Sequence, residues 1–455
     1  MMEDTANLNA TASNLAIVSF IDTTCSRSGS FAKDRFDRKG LNAYWKDHVV
    51  LKVSDFEFAR EGVRVHGADF TQPMLTSNFS FEITADDGVG ALDSQNLQTV
   101  GQQSWDRLTL NTQSPFPNGL LTPGLIYDPV THQAMMFSGQ NMGDVNSEFW
   151  QYDIATRMWT KTMLPSAPSG RSGASMIYDS ARQLIILFGG SENIMDQSVS
   201  YTYNDTWEYD IGKATWTRIE TDTFPSSRAL AQASFDDATG QMILFGGITP
   251  TESGTDNVSL SDTWVYDTLE RTWTELSFAA NASPSGRHAG SMVTNTATGD
   301  LYMFGGEVKA GNNSAQTNLN EVWRFTPTTA TWAKLTTTNA PSARAFSGMV
   351  YNPHRDRIFL LGGRTGLTDP GGAGPMPSVV SNEQWELNTS TLNWTPVSPT
   401  ANTTAKYGFG MVYASASQEI ILYGGQDDIP TSILSDIWDY NFTSNQWNTG
   451  ATVIN

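Results

Sequence analysis

Basic side chains recur at one position of this sequence. Arg171, Arg228, Arg287, Arg344 and Lys406 each stand seven residues before Tyr178, Phe235, Thr294, Tyr351 and Tyr413. Leu120 holds the same place before Tyr127. Arg presents a planar fork of donors that matches a carboxylate. Five converging cations therefore read as a pocket for a carboxylate or an acidic peptide. The repetition also supports a second reading. A brace is needed in every repeat, and buried cations are costly unless each is paired. The acids expected to pair with them are Glu192, Asp196, Glu252, Asp256, Glu307, Asp427 and Asp428, all between repeated segments.

Other chemistry finds few groups. The five histidines (His48, His66, His132, His288, His354) are scattered. Asp128 and His132 are four apart, but Gly124 stands where a preceding acid would complete a metal ligand set. Cys25 is the single cysteine, which excludes an intramolecular disulfide and a Cys-paired zinc site. No H-E-x-x-H, G-x-S-x-G or P-loop is present. No catalytic constellation, metal or cofactor is expected. The 455 residues carry 27 Lys plus Arg against 47 Asp plus Glu, a formal charge of −20. That balance disfavours nucleic acid and anionic lipid as partners. No apolar run approaches the 18 or so residues of a membrane helix, so this segment is not expected to insert in a membrane. The start lacks the basic region of a signal peptide.

The elements that position the cations are repeats. Apolar runs end in paired glycines at Gly189–Gly190, Gly246–Gly247, Gly305–Gly306, Gly362–Gly363 and Gly424–Gly425, with Ser138–Gly139 as a sixth. Each is followed by two tryptophans nine apart: Trp150 and Trp159, Trp207 and Trp216, Trp264 and Trp273, Trp323 and Trp332, Trp385 and Trp394, Trp438 and Trp447. Each repeat reads as four short strands a–d, joined by tight a–b and c–d turns. Such a unit cannot bury both faces alone and must pack radially on its neighbours. The tryptophans supply apolar plates between them.

The pattern R-x(6)-Y-x(10)-GG…W-x-Y-D-x(5)-W-T resembles the kelch repeat, in particular that of fungal kelch ectodomain-type proteins. The resemblance covers about residues 116–450 and implies an all-β, kelch-type β-propeller. Clear repeats span 116–165, 166–222, 223–280, 281–338, 339–398 and 399–450. Residues 41–115 read as a degenerate seventh blade, with strands near 45–53, 62–69, 77–84 and 104–110. Seven blades are expected over 41–450, with six as the alternative. Residues 1–40 read as a tail, with Leu15 to Ile21 or Ala451 to Ile454 as a ring-closing strand and 451–455 as the end. The pair Asp128 and His132 also resembles, incompletely, the iron site of plant kelch specifier proteins. A copper radical site like that of galactose oxidases has no counterpart, because Cys25 lies outside the repeats.

Alternation of strand direction puts the b–c and d–a loops on one face. These loops are long and variable, and binding surfaces of rigid scaffolds are usually such loop sets. The function expected is a non-catalytic binding module that recognises a protein or glycan. The alternatives are an epimerase-like sugar enzyme using an Arg-lined channel, which the resemblance also allows, and a cytosolic scaffold. Ten N-x-S/T sequons (Asn9, Asn78, Asn204, Asn257, Asn281, Asn312, Asn388, Asn393, Asn402, Asn441) suggest an N-glycosylated extracellular or cell-surface domain. A cytoplasmic location is the alternative.

Overall fold

A computed structural model separates the chain into two compact units, Met1–Gln113 and Ser114–Asn455. It describes residues 116–449, apart from short stretches at 142–143, 163, 165, 193, 196–197, 200, 253–255, 310–315, 367–378, 402 and 428–432. Of the first 115 residues it describes the bounds and pairing of eight strands.

Six four-stranded antiparallel sheets form the blades of the second unit, each with its strands a–d side by side in chain order, and smaller sheets lie in the loops between them. Blade 1 comprises Gly124–Asp128, Gln133–Phe137, Phe149–Asp153 and Met158–Thr162. Blade 2 comprises Ser175–Asp179, Leu184–Phe188, Thr206–Asp210 and Thr215–Ile219. Blade 3 comprises Gln232–Asp236, Gln241–Phe245, Thr263–Asp267 and Thr272–Leu276. Blade 4 comprises Ser291–Thr294, Leu301–Phe304, Val322–Thr326 and Thr331–Leu335. Blade 5 comprises Gly348–Asn352, Arg357–Leu361, Gln384–Asn388 and Trp394–Val397. Blade 6 comprises Gly410–Ala414, Glu419–Tyr423, Ile437–Asn441 and Gln446–Thr449. The fold is the all-β kelch propeller that the repeat implies.

The strand b runs are apolar and almost wholly buried, because both faces of each sheet are covered by neighbouring blades. The outermost tryptophan reaches back into the preceding blade. Trp216 packs on Phe137 at 5.2 Å between ring centres, Trp273 on Phe188 at 5.0 Å, Trp332 on Phe245 at 5.3 Å and Trp394 on Phe304 at 5.3 Å. Such pairs add about 0.5–1.5 kcal/mol each beyond the burial of their area.

Blade 6 meets blade 1 by the same contacts. Trp159 packs on Tyr423 at 5.1 Å. The Gly425 N–H donates to the Leu120 carbonyl at 2.9 Å, as Gly190 does to Arg228 at 2.8 Å. Arg157 pairs with Asp439 across this junction, as Arg271 pairs with Glu208 between blades 3 and 2. The innermost strands are neighbours all the way round, including those of blades 6 and 1.

A closed circle of backbone hydrogen bonds sits just before the innermost strands. Gly173 donates to Thr122, Leu230 to Gly173, Ala289 to Leu230, Phe346 to Ala289, Gly408 to Phe346 and Thr122 to Gly408, at 2.6–3.2 Å. All six residues have φ between +48° and +63°. The left-handed turn lets each N–H and carbonyl lie along the circumference.

These contacts correct the expected blade number from seven to six. Blades 6 and 1 touch directly, so no sheet fits between them. The expected closing strand is also corrected, since every blade uses four consecutive strands of its own. Within Met1–Gln113 the pairing is not that of a blade. Val49–Val53 pairs with Ala16–Phe20, whereas Val63–His66 lies between Glu57–Arg60 and Met2–Asp4 in another sheet. The strand expected at 104–110, and the end 451–455, lie outside the described residues.

Candidate binding site

The paired glycines create the setting for the repeated cations. Gly189 has φ +68°, and a Cβ there would lie 2.6 Å from the Arg228 carbonyl of the next blade. Glycine meets that angle and that approach with the least strain. Blade 1 has Ser138 instead, at φ +61°. Its hydroxyl takes up the contact, donating to the Arg171 carbonyl at 2.6 Å.

Arg171, Arg228, Arg287, Arg344 and Lys406 are at most 1% exposed. Each of the four guanidinium groups donates from Nη1 to the first glycine carbonyl of its own blade: Gly189, Gly246, Gly305 and Gly362. Each Nε donates to a serine carbonyl two residues earlier: Ser169, Ser226, Ser285 and Ser342. The remaining donors meet carboxylates. Arg228 forks onto Asp262 with two bonds of 2.6 Å, and Arg171 onto Asp205 at 2.6 and 3.0 Å. Arg287 pairs with Glu321 at 2.8 Å, Arg344 with Glu383, and Lys406 with Asp436 at 2.9 Å.

The inner tryptophans complete the arrangement. Trp207, Trp264, Trp323, Trp385 and Trp438 donate their indole N–H to the same carboxylates. Burial would raise the Asp205 and Asp262 carboxyls, but the arginine hydrogen bonds and charge outweigh it and hold both below the usual range. At Glu321, burial is likewise outweighed by hydrogen bonds from Lys334, Arg287 and Trp323, leaving the carboxyl at about 2.

The partners therefore differ from the acids expected. They are the acids two residues before each inner tryptophan, not those of the variable loops. The sequence carried this signal, because Glu148, Asp205, Asp262, Glu321, Glu383 and Asp436 all hold that place. In blade 1, Leu120 supplies no cation, and Glu148 pairs with Lys161 instead.

The cations also do not line the channel. A central cavity of about 240 Å³ is lined by the innermost strands of all six blades. Its side chains include Leu125, Met176, Gln232, Met292, Met349 and Met411, and none of its lining residues is ionisable. Asp128 is engaged at its turn, accepting from Val130 N–H at 2.9 Å and Tyr178 Oη at 2.8 Å. Among the described residues no group of three His, Cys, Asp or Glu could hold a metal ion.

Above the glycine corners, the residue after each cation, or after Leu120 in blade 1, pairs with the residue after the glycine corner. These pairs are Leu121 with Gln140, Ser172 with Ser191, Ala229 with Ile248, His288 with Glu307, Ala345 with Arg364, and Tyr407 with Gln426. They form a crown at the base of the b–c loops, and no two pairs are alike. His288 and Glu307 are fully buried. Ser259 Oγ lies 2.9 Å from His288 Nδ1, and Glu307 Oε1 lies 3.9 Å from His288 Nε2. Burial, with the charge of Lys309, lowers the imidazole to about 3. Burial raises the Glu307 carboxyl to about 7, against the opposing charges of Arg364 and Lys309. Sequence reading missed this crown, because its residues share a place and not a type.

A family model described as the KLHDC2/KLHL20/DRC7 Kelch-repeats domain matches residues 124–363, just over half of the chain. The chain is similar to Mei4-dependent protein 6 of Schizosaccharomyces pombe, with 26% identity over 160 residues, 33% of this chain and 22% of that protein. It is similar to Kelch-like protein terF of Aspergillus terreus, with 26% identity over 255 residues, 54% of this chain and 49% of that protein. A third relative is N-(sulfonatooxy)prop-2-enimidothioate sulfolyase of Thlaspi arvense, with 22% identity over 269 residues, 57% of this chain and 71% of that protein. The aligned parts span about a fifth and a half of the first two relatives. With the matched residues, the glycine corners and the six blades in agreement, the chain belongs to the kelch-repeat family.

Proposed function

We propose that the protein is a non-catalytic interaction module that recognises a protein partner through the b–c and d–a loops of one propeller face. One observation carries this reading. The layer of arginine braces is nearly the same in every blade, whereas the crown above it differs in every blade. Rigid support under varied loops is the arrangement that binding surfaces use. The cations serve as braces in this reading. The channel enzyme loses its arginines, because their donors are taken within the blades.

The test uses single surface cysteines in a Cys25→Ser background, coupled to a bulky polyethylene glycol. A cysteine at Glu252 blocks the loop face, and one at Leu269 blocks the opposite face. Both side chains are exposed. Partners captured from the native source are identified by mass spectrometry. Loss of capture with the first modification only is expected. Equal capture with both overturns the reading.

The proposal places the module outside the cell. No described helix is long and apolar enough to cross a membrane. Asn204 and Asn281 are exposed sequons on the loop face, whereas Asn257 is only 3% exposed. Asn388 and Asn441 accept backbone N–H groups in their turns, so turn chemistry accounts for part of the sequon excess. Native-source protein should lose mass on enzymatic removal of N-glycans. An unchanged mass removes the extracellular assignment.

A further inference from the structure

We infer that the loop face of blade 2 carries a docking patch for a Lys- or Arg-bearing segment of a partner protein. The inference rests on the loop-face reading above and names the chemistry of what that face takes.

The patch is aromatic and acidic. Tyr201 and Phe224 are 53% and 47% exposed, the two aromatics among the exposed large apolar side chains of the described residues. Tyr201 lies in the b–c loop and Phe224 in the d–a loop of the same blade. The two segments are joined where Thr202 Oγ1 donates to Ser227 Oγ at 2.9 Å and the Arg228 N–H donates to the Tyr203 carbonyl at 3.0 Å.

Tyr201 is presented on a fixed base. Its ring meets Tyr203 edge-on at 5.1 Å and 83°. Tyr203 in turn covers the Arg171 guanidinium, with Cζ 4.1 Å from the ring centre, and donates its hydroxyl to Glu192 Oε1 at 2.9 Å. The place of Tyr203 is taken by Leu260, Leu319, Ser381 and Leu434 in blades 3 to 6. Among the described residues, the brace of blade 2 is the one covered by a tyrosine that in turn carries a second, exposed tyrosine.

Among the described residues of these two loops, the exposed charged side chains are Glu192, Glu220 and Asp222. Arg218 is already paired with Glu220 at 3.2 Å, and Arg171 is buried against Asp205. Exposed tyrosine faces attract cations, and rigid tyrosines make effective interface anchors at low entropic cost. The formal charge of −20 steers a basic segment toward the protein and an acidic one away.

The experiment measures fluorescence anisotropy of two labelled eight-residue peptides with the full chain. One alternates Arg and Gly, and the other alternates Glu and Gly. The Arg peptide should bind and the Glu peptide should not. Tyr201→Ala combined with Phe224→Ala should weaken binding about tenfold. Glu192→Gln with Asp222→Asn should weaken it about threefold and flatten its salt dependence. Melting temperatures should stay at the wild-type value, and Val130→Ala on the opposite face should leave binding unchanged. Equal binding of the two peptides, binding of neither, or wild-type affinity in the aromatic double variant overturns the patch. If the patch fails while polyethylene glycol on the loop face still blocks capture of the native partner, the loop-face reading stands and only this inference falls. If neither modified face blocks capture, both fall.

Discussion

The braces and the crown are neighbours in every blade, yet they obey opposite rules. In blades 2 to 5 the same residue type makes the same bonds to the same glycine carbonyl. One step along the chain, the crown pairs share only their backbone bridge, and their side chains range from Ala229–Ile248 to His288–Glu307. A side chain needed in every blade is solving a problem that every blade has. That problem is how to end strand b at a crowded corner without leaving carbonyls unpaired. A side chain that differs in each blade is not needed for that corner, and most crown side chains are buried beneath the b–c loops. Recurrence thus argues for architecture, and departure from recurrence leaves a position free to support a loop of its own.

The largest expected break in this comparison is in the brace. Arg228→Ala leaves the Asp262 carboxylate without its cation and the Gly246 carbonyl without its donor. It should cost about 3–5 kcal/mol in chemical denaturation, as for other buried pairs that lose one partner. A loss below about 1 kcal/mol would move Arg228 out of the architectural class. Gly246→Ala comes next. It forces a Cβ at φ +63° against the Arg287 carbonyl and should cost about 1–3 kcal/mol.

A pH series sharpens the contrast. The Glu307 carboxyl is raised on folding, from 4.5 to about 7. The folded state then binds the proton more tightly than the unfolded chain, and stability falls as pH climbs through that window. Glu307→Gln should be close to neutral at pH 4 and stabilising by about 3 kcal/mol at pH 8. The Glu321 carboxyl is lowered to about 2. Its contribution is present above pH 4.5 and is lost as acid takes the pH toward 2. Melting temperatures of wild type, Glu307→Gln and Glu321→Gln across pH 3–8 should show these two dependences with opposite signs. The smallest effect on stability is expected at the loop surface. Tyr201→Ala should stay within about 0.5 kcal/mol of wild type.

Much of the architecture was legible because it repeats. The glycine corners fixed where strand b ends, and the nine-residue spacing of tryptophans fixed strands c and d and the turn between them. The brace carboxylates were equally legible, two residues before each inner tryptophan. The acids of the variable loops form a competing set, because they lie on the face that the cations were expected to reach. The blade count was not legible. Residues 41–115 contain strand-like runs at plausible spacings, and local pattern does not reveal that Val49–Val53 pairs with Ala16–Phe20. Closure depends on Arg157 meeting Asp439 and on Trp159 meeting Tyr423, contacts more than 260 residues apart. The crown was illegible for a different reason, since its members share a backbone position and no common chemistry.

The circle of six hydrogen bonds runs through blade 6 back to blade 1 with no strand exchanged between the ends. The covalent chain crosses five junctions, and the sixth is held by the same packing and hydrogen bonds as the others. Such a ring has no privileged starting point. A circularly permuted chain, opened in the connection between blades 3 and 4 and joined by a linker from residue 449 to residue 116, has the same six junctions to form. Which blade comes first along the chain is therefore free, because a cyclic shift keeps every blade beside the same two neighbours and every junction intact.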